Sequence, residues 1–112
     1  DGQTIIELSA CPKSNDVVVG SSRGGAVTCA LETAGIPKIL IAPAYRHFGV
    51  EKPLVDETTT ILHCPKDDLV MYKDSHDLTA LGARLITCGE NHRMSDPEAL
   101  ATLLKEIESV KT

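Results

Sequence analysis

The chain has no run of basic residues: its 11 Lys and Arg are scattered singly among 16 Asp and Glu, for a net charge of -5. It therefore lacks the footprint that tracks nucleic-acid phosphates, and nucleic acid is not expected as a partner. No apolar stretch approaches the roughly 18 residues that span a bilayer, and the polar start Asp1-Gly2-Gln3 has no signal-peptide pattern, so a cytoplasmic chain without membrane association is expected. The cysteines at 11, 29, 64 and 88 include no C-x-x-C pair. That argues against a zinc knuckle and for reduced thiols acting as small hydrophobes. The histidines show no i, i+4 pair, and neither a metal nor another cofactor is expected. Tryptophan is absent and aromatic residues make up 3%. Internal repeats and low-complexity segments are lacking too.

What is present is ordinary for a folded protein: 42% hydrophobic and 24% charged residues in 112. At about 25 residues per strand-helix unit, this length holds about four units, and a single domain over residues 1–112 is expected. Four short runs, Asp16 to Gly20, Lys38 to Ala42, Thr59 to His63 and Arg84 to Cys88, are β-branched and mostly continuous, the pattern of parallel strands covered on both faces. Helical patterns lie between them. Gly24 to Ala34 carries Ala26, Val27, Ala30, Leu31 and Ala34 on one stripe and stops at Gly35. Asp74 to Leu81 reads as a short helix ended by Gly82. The last stretch has Asp96 as N-cap, Pro97 at the first helical position, and Leu100, Leu103, Leu104 and Ile107 on one face. Residues 43–58 read as a long loop or a loop with one short helix. The capping-box pattern at Thr4 to Glu7 predicts helix for residues 4–11, with a strand over Thr4 to Ser9 as the alternative. The fold class that follows is α/β, a four-stranded parallel sheet with helices on both faces. Its core is expected in Val17, Val18, Val19, Ile39, Leu40, Ile41, Ile61, Leu62, Leu85 and Ile86, against helix faces bearing Val27, Leu31, Leu100, Leu103 and Leu104.

Gly20-Ser21-Ser22-Arg23-Gly24 is a G-x-S-x-G pattern placed directly between a buried strand and a small-residue helix. A serine on so sharp a turn projects its hydroxyl above the sheet, and the following helix N-terminus supplies free amides that favour a developing oxyanion. The same junction also serves simply to start a helix or to cradle a phosphate, so downstream partners decide between these uses. An acid follows the third run at Asp67 or its neighbour Asp68, and His92 follows the fourth. Both stand at carboxyl ends of strands, where ligands bind in open α/β sheets. The chain order is Ser, acid, His.

The segments VVVGSSRGGA, ILIAPAYRHFGV, TTILHCPKDDLV and GENHRMSDPEAL resemble the C-terminal half of the small bacterial α/β-hydrolase family proteins, over residues 16 to about 104. The resemblance implies a reduced α/β-hydrolase-like fold with Ser22 as nucleophile, Asp67 as orienting acid and His92 as base. The acid motif usually reads G-x-x-D-x-x-V-P, and here Cys64 and Met71 replace its glycine and proline without removing a catalytic atom. A complete family member has more strands before the serine, and a loop among them donates one oxyanion amide. About a dozen residues precede the first predicted strand here, so only the Arg23 amide can be assigned as an oxyanion donor.

The expected function is hydrolysis of a small carboxylic ester or thioester. The alternative is a catalytically weak or inactive remnant that binds or assembles. A nucleotide site is the weaker third reading, since the P-loop pattern is missing. Ser21, Tyr45, His47 and Phe48 are candidates to line a substrate pocket, and Ser21 is the rival nucleophile. His63 is expected as a satisfied half-buried strand-end histidine and His76 as a solvated one. The Val-rich first run would be left with an uncovered edge, so a homodimer, or a partner covering that edge, is expected unless Thr4 to Ser9 pairs with it.

Overall fold

A computed structural model describes residues 3–7 and 16–110. The elements run β1 (Gln3–Glu7), β2 (Val17–Ser21), α1 (Arg23–Ala30), β3 (Lys38–Ile41), β4 (Thr59–His63), α2 (Tyr72–Leu78) with a single 3₁₀ turn after it, β5 (Arg84–Thr87) and α3 (Pro97–Val110). They build one sheet in the order β1-β2-β3-β4-β5, in which β2 to β5 are parallel and β1 is antiparallel to β2. The four parallel strands are those expected from the β-branched runs.

Cross-strand register sorts the side chains onto two faces. Ser21, Ile41, Leu62 and Ile86 align in one row. Val19 and Ile39, two residues back, point the same way, and this face packs on Cys88, Met94, Ala99, Leu103 and Ile107 from the β5 exit and α3. The row between, Gly20, Leu40, Ile61 and Leu85, faces the other side. There Leu40 and Ile61 pack with Ala26 and Cys29 of α1, Leu78 of α2, and Tyr45 and Val55 of the 42–58 loop. With helices on both faces, every inner strand is apolar on both sides, and the runs read as continuous for that reason.

Three expectations are corrected. Over Gln3–Glu7 the chain is strand, not helix: it pairs Ile5 with Val19 and Ile6 with Val18, because the edge of β2 offers a full row of backbone partners that an isolated capping box cannot match. The remainder of the 4–11 helix expectation, and Cys11, lie outside the described residues. The β2 edge on which a homodimer or partner was expected is thus occupied by the same chain. Second, the inward faces of two helices differ from those expected. Val27, Leu100 and Leu104 are 51%, 47% and 65% exposed. The buried side of α1 is Gly24, Gly25, Ala26, Thr28 and Cys29, and α3 turns Ala99, Leu103, Glu106 and Ile107 inward. α1 ends at Ala30, four residues short of Ala34, and Leu31 beyond it is half-buried. Third, Leu85 and Ile86 are only half-buried, since β5 is an edge strand.

Small residues on α1 let it approach β2 closely. A Cβ at Gly20 would stand 2.3 Å from Thr28 Oγ1 and 2.5 Å from the Gly24 carbonyl oxygen, and one at Gly25 would stand 2.9 Å from Pro43 Cα. Glycine at 20 and 25 is therefore required by contact rather than by backbone angle. Asp96 caps α3 as expected, its Oδ2 accepting from the Ala99 amide at 3.2 Å and its carbonyl from the Leu100 amide at 3.0 Å.

Candidate active site

Ser22 stands between β2 and α1 at φ 54° and ψ -113°, a left-handed conformation that a serine adopts only where its surroundings over-determine it. They do. Its amide donates to the Ile41 carbonyl at 2.8 Å, and its own carbonyl accepts from the Ala26 amide of α1 and the Ala44 amide beyond β3, each at 3.0 Å. The backbone is thus pinned on both sides, leaving the hydroxyl turned out at the carboxyl edge of the sheet.

There the Ser22 hydroxyl lies 2.8 Å from His92 Nε2, and His92 Nδ1 lies 2.7 Å from Asp67 Oδ2. Asp67 can only accept at neutral pH, so His92 carries its proton on Nδ1, and Nε2 is left to accept from the Ser22 hydroxyl. Serine, histidine and carboxylate, predicted from three separate loops, meet in one hydrogen-bonded chain. The Asp67 side chain is fully buried and the His92 side chain 13% exposed, so the hydrogen-bonded chain is largely shielded from water but open at the serine end, where Ser22 is half-buried.

The carboxylate is held at four points. Oδ1 accepts the Leu69 and Val70 amides, each at 2.8 Å, and Oδ2 accepts His92 and, at 3.0 Å, His63 Nε2. Burial by itself raises the carboxyl; the Val70 amide, His92 and the Leu69 amide outweigh it and hold Asp67 below its ordinary value. It stays ionised. Asp68 is exposed, so the choice between the adjacent acids falls to Asp67. The His92 loop is fixed from below: Met94 is buried in the core at φ 55° and donates its amide to the Asn91 carbonyl at 3.2 Å. Gly89, at φ 90°, leaves room that a Cβ would take 2.5 Å from the Met94 sulfur. Asp96 Oδ1 accepts the Glu90 amide at 3.0 Å, which ties the cap of α3 to the histidine loop.

The remaining candidates divide. Arg23 opens α1 with an exposed side chain, and its amide, as the first of the helix, has no intrahelical acceptor. Ser21 is a half-buried β2 residue. Tyr45 is core: it is 4% exposed and its hydroxyl donates to the Asp74 carbonyl at 2.7 Å, so it is committed to anchoring the loop. His47 and Phe48 are exposed on that loop, which Arg46 fastens to α2 through Asp74 and Asp77. His63 is fully buried rather than half-buried and belongs to the Asp67 cluster. Its sequence signal was its place at a strand's carboxyl end four residues before the acid. His76 is exposed.

A cavity of about 160 Å³ lies at the opposite end of the sheet, walled by Glu32, Lys38, Asp56 and Thr58 among others. Among the described residues no cluster of three or more His, Cys, Asp or Glu has metal-binding geometry, and no helix is long and apolar enough to cross a membrane. Compared with protein-family profiles and with curated proteins, the chain matches none.

Proposed function

We propose that the protein is a serine hydrolase of small carboxylic esters or thioesters, on an α/β-hydrolase-like plan. One observation carries the reading: the unbroken chain from the Ser22 hydroxyl through His92 to the buried Asp67, starting at a serine held at φ 54° on a strand-to-helix turn. Ser22 Oγ attacks the carbonyl carbon while His92 Nε2 takes its proton, and Asp67 holds the imidazolium that forms. The carbonyl oxygen gains charge facing the Arg23 amide at the positive end of α1. His92 then returns the proton to the departing alkoxide or thiolate, leaving an acyl group on Ser22 that water removes with His92 as base. Cys29, Cys64 and Cys88 are buried free thiols, in keeping with a reducing, cytoplasmic setting.

A fluorophosphonate probe tests this directly. Labelling is expected at Ser22, absent in Ser22→Ala and slowed in His92→Ala, with parallel losses in p-nitrophenyl acetate hydrolysis. A folded chain that takes up no probe overturns the hydrolase reading and leaves a non-catalytic binding module.

A further inference from the structure

His63 is a buried titratable group that the mechanism above does not use. It closes β4, pairs in register with Thr87 of β5, and points to the α2 face, where its ring tilts against Tyr72 at a centroid distance of 5.6 Å. Both of its nitrogens are engaged. Nε2 is 3.0 Å from Asp67 Oδ2 and 3.0 Å from the Val70 carbonyl, while Nδ1 is 2.6 Å from the Ser75 hydroxyl on α2.

The tautomer follows by elimination. A carboxylate and a carbonyl can only accept, so Nε2 carries the hydrogen and donates between them. Nδ1 of the neutral ring is then an acceptor, and Ser75, itself fully buried, must donate to it. Burial keeps the ring below the ordinary histidine value, so this neutral form is the one present at pH 7. One carboxylate oxygen, Asp67 Oδ2, thus receives two imidazole N–H groups: His92 from the solvent side and His63 from the α2 side. The amides on Oδ1 belong to the same turn as Asp67 and move with it. Of the four donors to this carboxylate, His63 is the one that ties it to β4 and, through Ser75, to α2.

We propose that His63 is a positioning residue of the site: with its ring anchored at Nδ1 by the Ser75 hydroxyl, it fixes Asp67 Oδ2 where His92 Nδ1 meets it. It acts through Asp67 and touches no substrate. The proposal rests on the serine-hydrolase reading for its kinetic consequence, while its structural consequence is read without any activity.

His63→Leu removes the donor and keeps the volume; His63→Gln restores a donor near the Nε2 position; Ser75→Ala keeps the ring and its Nε2–H but removes the hydroxyl that anchors Nδ1 to α2. In His63→Leu, probe labelling of Ser22 per folded molecule is expected to fall about 10- to 100-fold, the usual loss when an outer hydrogen-bond partner of a site is removed. For p-nitrophenyl acetate the loss appears in kcat, with KM unchanged. His63→Gln recovers most of it, and Ser75→Ala falls between. The low-field proton resonance of the Asp67–His92 hydrogen bond, read by NMR on the same samples, is expected to broaden or move in His63→Leu and return in His63→Gln. Labelling and resonance both unchanged in folded His63→Leu overturn the positioning role and leave the hydrolase reading standing. A native chain that takes no probe but whose resonance still responds to His63 overturns the hydrolase reading alone. If His63→Leu does not fold, Ser75→Ala and His63→Gln carry the same comparison, and native labelling with a native resonance in Ser75→Ala overturns the proposal.

Discussion

The two ends of the sheet both bury charge, and they treat it differently. At the carboxyl end Asp67 is satisfied by four donors, one of which, His92, leads on to a hydroxyl at the surface. At the amino end Lys38 is 4% exposed and its ammonium donates to the Leu31 and Leu54 carbonyls, at 2.6 and 2.5 Å. Burial holds that ammonium below the usual lysine value. One network continues outward to the Ser22 hydroxyl; the other closes on backbone and joins the end of α1 to the loop before β4. A buried charge indicates chemistry only when its hydrogen bonds lead somewhere.

Asp67→Asn is the sharpest way to break this contrast. An amide in place of the carboxylate no longer holds His92 in the tautomer whose Nε2 accepts from Ser22, and the labelling rate is expected to drop by about 10⁴-fold with the fold retained by circular dichroism. Lys38→Met makes the reverse case. It strands two carbonyls and should destabilise the protein by roughly 2–4 kcal/mol in urea unfolding, while the labelling rate of the folded fraction changes by less than about twofold because the sites are far apart. A large loss of labelling in folded Lys38→Met would show that the two ends are coupled.

Acid should find the carboxyl end first. Native His63 lies below its ordinary 6.5, so between its native value and 6.5 the unfolded chain binds the extra proton. The stability given by the neutral ring is complete above 6.5 and is lost as pH falls below it. Asp67, held below 3.8, adds stability above that pH that is lost as pH falls further. The urea midpoint should therefore decline from pH 7.5 to 5 more steeply in the native chain than in His63→Gln. Equal slopes would mean that His63 is not held neutral.

The smallest effect belongs to neither end. Leu104→Ala, on the outward side of α3, should change stability by no more than about 0.5 kcal/mol. Its neighbour Leu103→Ala, packed against the core, should cost about 2 kcal/mol. Similar losses at both would mean that α3 is rotated from the orientation described.

Much was legible from residue order alone. Continuous β-branched runs mark strands buried on both faces, Asp96-Pro97 marks a helix start, and G-x-S-x-G between a strand and a helix marks the turn at Ser22, since each signal is local and has a local physical cause. The face a helix turns inward was not legible for α1. Hydrophobicity pointed to Val27, but the close approach of α1 to Gly20 admits only the glycines, Ala26, Thr28 and Cys29. In α3 the stripe through Leu100 and Leu104 lies one residue around from the stripe through Ala99 and Leu103, a difference of about 100° that only the docked helix resolves. Residues 3–7 became strand because β2 had an open edge, a partner that no window around Thr4 contains.

The sequence by itself determined the parallel α/β plan and pointed to Ser22, an acid at 67 or 68, and His92 at the carboxyl ends of successive strands, because strand ends and turn chemistry are written in short contiguous patterns. Tertiary structure alone decided that Asp67 and not Asp68 receives His92, that Tyr45 anchors a loop, and that His63 and Ser75 stand behind the carboxylate. The physical reason is that each of these depends on a hydrogen bond whose two ends lie on different elements, and the partner of a buried polar group is set by where the sheet and helices bring it, not by the residues beside it in the chain.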